Sequence, residues 1–146
     1  MKSEDNQPPR IAIILDDMNG IINKTSKTIV ELFSRYRHYN IQCLVYAAQS
    51  LRGAPPVTRA MATAVILSKP NSDMEKAKIL EEWGGSFQSR LEDAWVNHCI
   101  TEQYEFCYLK LDEYEKKIFR LGKRGLKQID WQKCRKTYGK KFITDT

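Results

Sequence analysis

The chain reads as an α/β protein, a mostly parallel sheet with flanking helices, and three observations carry that expectation. Ile11 to Leu15, Ile41 to Ala47 and Ala64 to Leu67 are short apolar runs with the near-continuous hydrophobicity of strands buried on both faces. Between the first two runs, Ile29, Leu32, Phe33 and Tyr36 recur at i, i+3, i+4 and i+7, a single apolar helix face over roughly 26–38. A strand, a helix and a strand of these lengths close as a right-handed βαβ unit.

The connections agree. Asn19-Gly20 breaks the chain after the first strand, and Thr25 or Ser26 can cap the helix. Gln49 to Pro56 is a loop, with Gly53 and the Pro pair as breakers, and a short helix over about 57–62 leads into the third strand. Pro70-Asn71 then turns the chain. Ser72 with Glu75 forms a capping box for a helix whose inner side carries Met74, Ala77, Leu80 and Trp83, and Gly84-Gly85 stops it. A helix over about 89–99 points Leu91, Ala94 and Trp95 inward, with His98 a packed or half-exposed histidine, and Tyr104 to Leu111 reads as the last strand. Beyond it, 115–141 is weakly patterned; Ile118 and Leu121 give one or two helical turns, and Gly122, Gly125 and Gly139 favour a mobile arm. The expected organisation is a polar lead over 1–10, one domain over 11–112 and a basic arm over 113–146.

At 146 residues, with 42% hydrophobic and 29% charged residues, the chain has the make-up of one globular domain. No apolar run approaches the ~20 residues of a membrane helix, and Met1 to Arg10 lacks a signal-peptide core. Cys43, Cys99, Cys107 and Cys134 show no CxxC spacing, and only His38 and His98 could join them, so reduced thiols and no zinc site are expected. The net charge of +6 is concentrated at the C-terminal end, where 115–146 holds eleven Lys/Arg against three acids. With Trp131 and Tyr138 among them, Lys123, Arg124, Lys127, Lys133, Arg135 and Lys136 suggest contact with a polyanion, nucleic acid first. A solvated tail is the simpler reading of such a run.

The chemistry lies in Asp16-Asp17, at the carboxyl end of the first apolar run. A hydrophobic strand ending in two carboxylates has the form of a Walker B element. Asp16 would hold Mg²⁺ through its water shell and Asp17 would orient an attacking water. Gln49 follows the second strand, so a parallel sheet would bring it beside the acidic pair, where an amide could sense a γ-phosphate. Arg37, Arg52 and Arg59 sit near element ends, and any of them could serve as an arginine finger, including in a neighbouring subunit.

In order, IAIILDDM, SRYRHYNI, QCLVYAAQS, TRAMATAVILSKPNS and EKAKILEEWGGS resemble the FtsK/HerA superfamily of ring-forming DNA-pumping ATPases. They are closer still to the DNA-packaging ATPases of poxviruses and other large cytoplasmic DNA viruses. HCITEQYEFCYLKLD is similar to the segment before the terminal strand of those enzymes, and the resemblance spans roughly residues 8–112. It implies a P-loop ATPase domain of the ASCE class that uses ATP and Mg²⁺ to translocate double-stranded DNA as a homo-oligomeric ring. The implied location is the host cytoplasm at the site of virus assembly, or the virion; the protein would be soluble and not secreted. Asp16 would bind Mg²⁺, Asp17 would polarise water, Gln49 would be the sensor, and Arg37, with Arg59 second, would be the trans-acting finger.

One departure is large. No G-x-x-x-x-G-K-[ST] occurs in these residues, and Gly122-Lys123-Arg124-Gly125 has neither its spacing nor a preceding strand. Without that nest of backbone N–H groups a triphosphate has no cradle. The expectation is therefore the C-terminal half of such an ATPase, inactive unless a separate N-terminal chain supplies the loop. The alternative is a non-catalytic nucleic-acid-binding or assembly module working through the basic arm. A metal-dependent nuclease built on Asp16 and Asp17 ranks third, since no third carboxylate stands at a suitable strand end.

Overall fold

A computed structural model of the chain describes residues 8–18 and 27–134. The Asn19-Gly20 break, the Thr25 and Ser26 caps and the segment from Arg135 onward lie outside the described residues. The chain divides into two compact units, Met1–Ala62 and Thr63–Thr146.

In the first unit β1 (Ile11–Asp16) is followed by α1 (Lys27–Arg35), a 3₁₀ turn over Tyr36–Tyr39, β2 (Ile41–Ala47), a second 3₁₀ turn over Leu51–Gly53, and α2 (Pro56–Ala60). β1 and β2 pair in parallel as a two-stranded sheet, from Ile11 opposite Ile41 to Asp16 opposite Ala47. The apolar face of α1 is the expected one: Ile29 and Phe33 are buried, and the Phe33 ring meets Tyr46 of β2 edge-on at 6.3 Å. Asn40 takes φ +56° to end the first 3₁₀ turn and start β2, a left-handed conformation that asparagine tolerates. Full burial of β1 does not hold. The strand pairs on one side only, and Ile14 remains 68% exposed, opposite an exposed Val45.

The second unit contains β3 (Ala64–Leu67), α3 (Asp73–Gly84), a 3₁₀ turn over Gly85–Phe87, α4 (Gln88–Asp93), a π-helical turn over Ala94–Cys99, and β4 (Phe106–Lys110), β5 (Lys117–Gly122) and β6 (Gly125–Ile129). Its sheet has the order β3-β4-β5-β6, and every pairing is antiparallel. This overturns the expected mostly parallel P-loop sheet. Among the described residues β3 pairs with β4 and not with β1 or β2, and β1–β2 is the only parallel pairing. Connections over 111–116 and 123–124 are too short for a parallel crossover, so β4, β5 and β6 can only form hairpins. The stretch read as a mobile arm is therefore ordered strand over 117–122 and 125–129. Its glycines make the last turn: Lys123 and Arg124 keep negative φ while Gly125 takes φ +88°, a type I turn closed by a left-handed glycine.

One sheet face is the core. Leu67, Cys107, Leu109 and Ile118 are buried on alternate positions, and the helical run supplies Leu91, Ala94, Trp95 and Cys99. Each large apolar side chain so buried is worth about 1.5–3 kcal/mol, against roughly 1 kcal/mol for a typical hydrogen bond. Burial therefore dominates this contact. Ser72 caps α3 as expected, its Oγ accepting from the Glu75 N–H at 3.1 Å. The inner stripe of α3 runs through Ile79 and Leu80, however, and Met74 is exposed. No described helix is long and apolar enough to cross a membrane.

The hairpin register sets Lys110 directly opposite Lys117, a like-charge pair that weakens a ladder. Glu113, in the connection between them, resolves it by bridging both ammonium groups, at 2.6 Å from Lys110. Hydrogen bonds from Lys110 and Lys117 hold its carboxyl down at about 2. Because the folded carboxyl titrates below its unfolded counterpart, the clamp stabilises the hairpin above about pH 4.5 and is lost as pH falls through about 2. Carboxyl-carbon NMR of Glu113 should give a midpoint near 2, moving toward 4.5 in Lys110→Ala and Lys117→Ala. An ordinary midpoint in the parent protein would mean that the clamp does not form.

Candidate functional site

The parallel register is what assembles a site. Asp16 closes β1 opposite Ala47, Asp17 follows it, and Gln49 lies two residues beyond Ala47, so all three emerge at the carboxyl end of the same strand pair. That is where parallel strands present ligand-binding side chains. Asp16, Asp17 and Gln49 are exposed. Asp17 takes φ +50°, a left-handed conformation that costs a non-glycine residue roughly 1–2 kcal/mol. It turns the chain sharply out of β1.

The arginines divide between the two ends of this pair. Arg37 lies in the 3₁₀ turn that precedes Ile41, at the opposite end of β2 from Asp16. With β2 rising about 20 Å over its seven residues, Arg37 does not reach the acidic pair within its own chain. Its guanidinium instead packs on Tyr36, with Nε donating to the phenolic oxygen at 3.1 Å. Arg52 and Arg59 follow the carboxyl end of β2, Arg52 exposed in the second 3₁₀ turn and Arg59 half-buried in α2. Tyr46 draws this connection back over the strand by donating its hydroxyl to the Gly53 carbonyl at 3.1 Å.

In the second unit the basic residues form a patch. Lys123 and Arg124 are the exposed tip of the β5–β6 hairpin, and Lys127 stands on β6 opposite Arg120. Lys123 also lies 6.0 Å from the centre of the exposed Tyr104 ring. Lys133 is paired with Asp130 at 3.0 Å. Arg135 and Lys136 fall outside the described residues.

A third grouping was invisible to the search for metal-ligand spacing: Asp93, His98 and Cys134, whose ligand atoms all lie within 4.8 Å of one another. His98, which the sequence allowed as a packed or half-exposed histidine, is half-exposed on the π-helical turn.

For Mg²⁺ the acidic pair is a suitable donor set, since a hard cation that keeps most of its water needs only one or two carboxylates. For a triphosphate these residues offer no G-x-x-x-x-G-K-[ST] motif to form the usual cradle. No known protein family, characterised protein or solved structure matches the chain.

The left-handed Asp17 has a direct consequence. Asp17→Gly should leave the β1–β2 ladder equally stable or up to about 1 kcal/mol more stable. Asp17→Val, β-branched, should weaken it by about 1–2 kcal/mol. Hydrogen exchange of the ladder amides reads both. Equal protection in the two variants would show that Asp17 is not left-handed in solution.

Proposed function

We propose that these residues are the part of a viral genome-packaging ATPase that carries its acidic pair and sensor, and that the phosphate-binding loop they work with lies outside them. The observation behind the reading is the parallel β1–β2 register, which brings Asp16, Asp17 and Gln49 to one strand end. Asp16 would hold Mg²⁺ through its water shell, and ATP is the nucleotide the assembled site would take. Asp17 takes the proton of the attacking water, and Gln49 orients that water against the γ-phosphate. Arg37, remote from its own Asp17, would serve a neighbouring subunit of a homo-oligomeric ring, while Arg59 follows the same strand end as Gln49. The edge of β1 that is unpaired among the described residues, with its exposed Ile14, is the surface that the part carrying that loop would cover. Double-stranded DNA is the translocated substrate. The antiparallel second unit has no part in this argument.

A second reading rests on the hairpin tip. Lys123, Arg124 and Lys127 present three exposed cations on one ordered turn and the strand that follows it, suited to backbone phosphates. The chain would then be a nucleic-acid-binding or assembly module with no catalytic role.

The purified chain should turn over ATP negligibly. Supplying a phosphate-binding loop, fused to these residues or as a separate polypeptide, should restore turnover, and Asp17→Asn should lower that turnover by about 10²-fold or more. Inactivity with the loop supplied would reject the ATPase reading, and Asp17-dependent activity of residues 1–146 alone would reject their dependence on it. DNA binding by the hairpin makes a separate prediction. Each of Lys123→Ala, Arg124→Ala and Lys127→Ala should reduce the salt slope of binding by about 1, whereas Asp16→Ala and Asp17→Ala should leave it unchanged. Binding that is indifferent to salt would remove the hairpin from consideration.

A further inference from the structure

Asp93 closes α4 and His98 lies five residues on, within the π-helical turn Ala94–Cys99. In an α-helix two residues so spaced point to different sides, because 3.6 residues complete a turn. A π turn bonds i to i+5 and brings them onto one side, and such turns concentrate at functional sites. The result is His98 Nε2 at 3.4 Å from Asp93 Oδ2. Asn97 donates to the other carboxylate oxygen, Oδ1, at 2.7 Å, which fixes the orientation of Asp93.

The third member arrives from the opposite end of the unit. After β6 the chain turns through Trp131, whose indole meets Phe87 at 5.0 Å, lies under the Arg90 guanidinium and donates to the Lys116 carbonyl at 2.8 Å. This anchoring sets Cys134 against α4 with its thiol buried. The ligand atoms of Asp93, His98 and Cys134 fall within 4.8 Å of one another.

We propose that Asp93, His98 and Cys134 form a binding site for one zinc-class divalent ion, with the fourth coordination position open to solvent. Across a tetrahedral zinc, neighbouring N, O and S ligands lie about 3.3–3.6 Å apart. The observed Nε2–Oδ2 separation of 3.4 Å matches that span. One sulfur, one imidazole nitrogen and one carboxylate oxygen make a mixed set that suits zinc and disfavours the all-oxygen cations magnesium and calcium. Burial, and then the Asp93 carboxylate, push the Cys134 thiol up, so ion binding releases its proton to solvent and relieves the repulsion between thiolate and carboxylate. Cys99, whose thiol donates to the Phe119 carbonyl at 3.6 Å, is not in the cluster, and the Cys134 thiol would give up its own contact to the Asp130 carbonyl at 3.8 Å on binding the ion. The ion would fasten the turn after β6 to the helix over the sheet.

Co²⁺ titration of the full chain tests this, read by the thiolate-to-cobalt charge-transfer absorption and followed by Zn²⁺ displacement. One equivalent should bind and be displaced. Cys134→Ser should abolish the band, while Cys43→Ser, at an exposed thiol, should leave it unchanged. His98→Ala, at a half-exposed position that folding does not need, should weaken binding about tenfold or more. Absence of the band, its survival in Cys134→Ser, or unchanged affinity in His98→Ala would overturn the site and leave an ordinary histidine–aspartate pair.

Discussion

The seating of Trp95 is the contact on which the second unit depends. Its side chain has no exposed surface, and its indole N–H donates to the Ser68 carbonyl at 3.0 Å, just past the end of β3. A large apolar ring is thereby removed from water while its single polar atom stays satisfied, which gains the burial energy without the cost of an orphaned donor. The flanking residues follow. Ala94 and Cys99 are fully buried on the same π-helical turn, and Cys107, Leu109 and Ile118 fill the sheet face beneath. Short connections make β4, β5 and β6 antiparallel neighbours, and the helix seated by this residue lies over them. They come from consecutive chain, and one helical segment is enough to cover one face.

The first unit is held differently. Its sheet has two strands, α1 covers one face through Ile29 and Phe33, and the other face leaves Ile14 and Val45 exposed. An isolated two-stranded sheet is marginal in water. Exposed as they are, Ile14 and Val45 add little burial energy to that sheet.

Much of this was legible in the residues, and the failures have physical causes. β1, β2, β3, the α1 face and the Ser72 cap could be read because local periodicity and side-chain chemistry specify them. Apolar continuity, however, reports only that a strand can be buried, not which chain buries it, so β1 was taken for a central strand. Residues 117–129 escaped because Ile118, Phe119 and Leu121 are apolar on both faces and blur the period of two, although Gly122 and Gly125 around a two-residue turn were a usable hairpin signal. The carboxyl-end grouping of Asp16, Asp17 and Gln49 could be anticipated from parallel pairing alone. Asp93 with His98 could not, because a template of 3.6 residues per turn separates them, and nothing local announces Cys134 as their neighbour.

Asp17 brings these strands of argument together. A left-handed backbone is favoured by glycine and borne by asparagine or aspartate, so an exposed aspartate at φ +50° gives up stability that glycine would keep. Asn40 accepts the same conformation where the first unit must turn into β2. At Asp17 the turn alone could be made by glycine, and the carboxylate is the added element. Strain kept at the exposed end of a strand, beside a second carboxylate and in register with Gln49, has its simplest explanation in what that carboxylate contacts. A strained backbone at that point is consistent with the role proposed for the acidic pair, which sets Asp17 directly after Asp16 at the strand end.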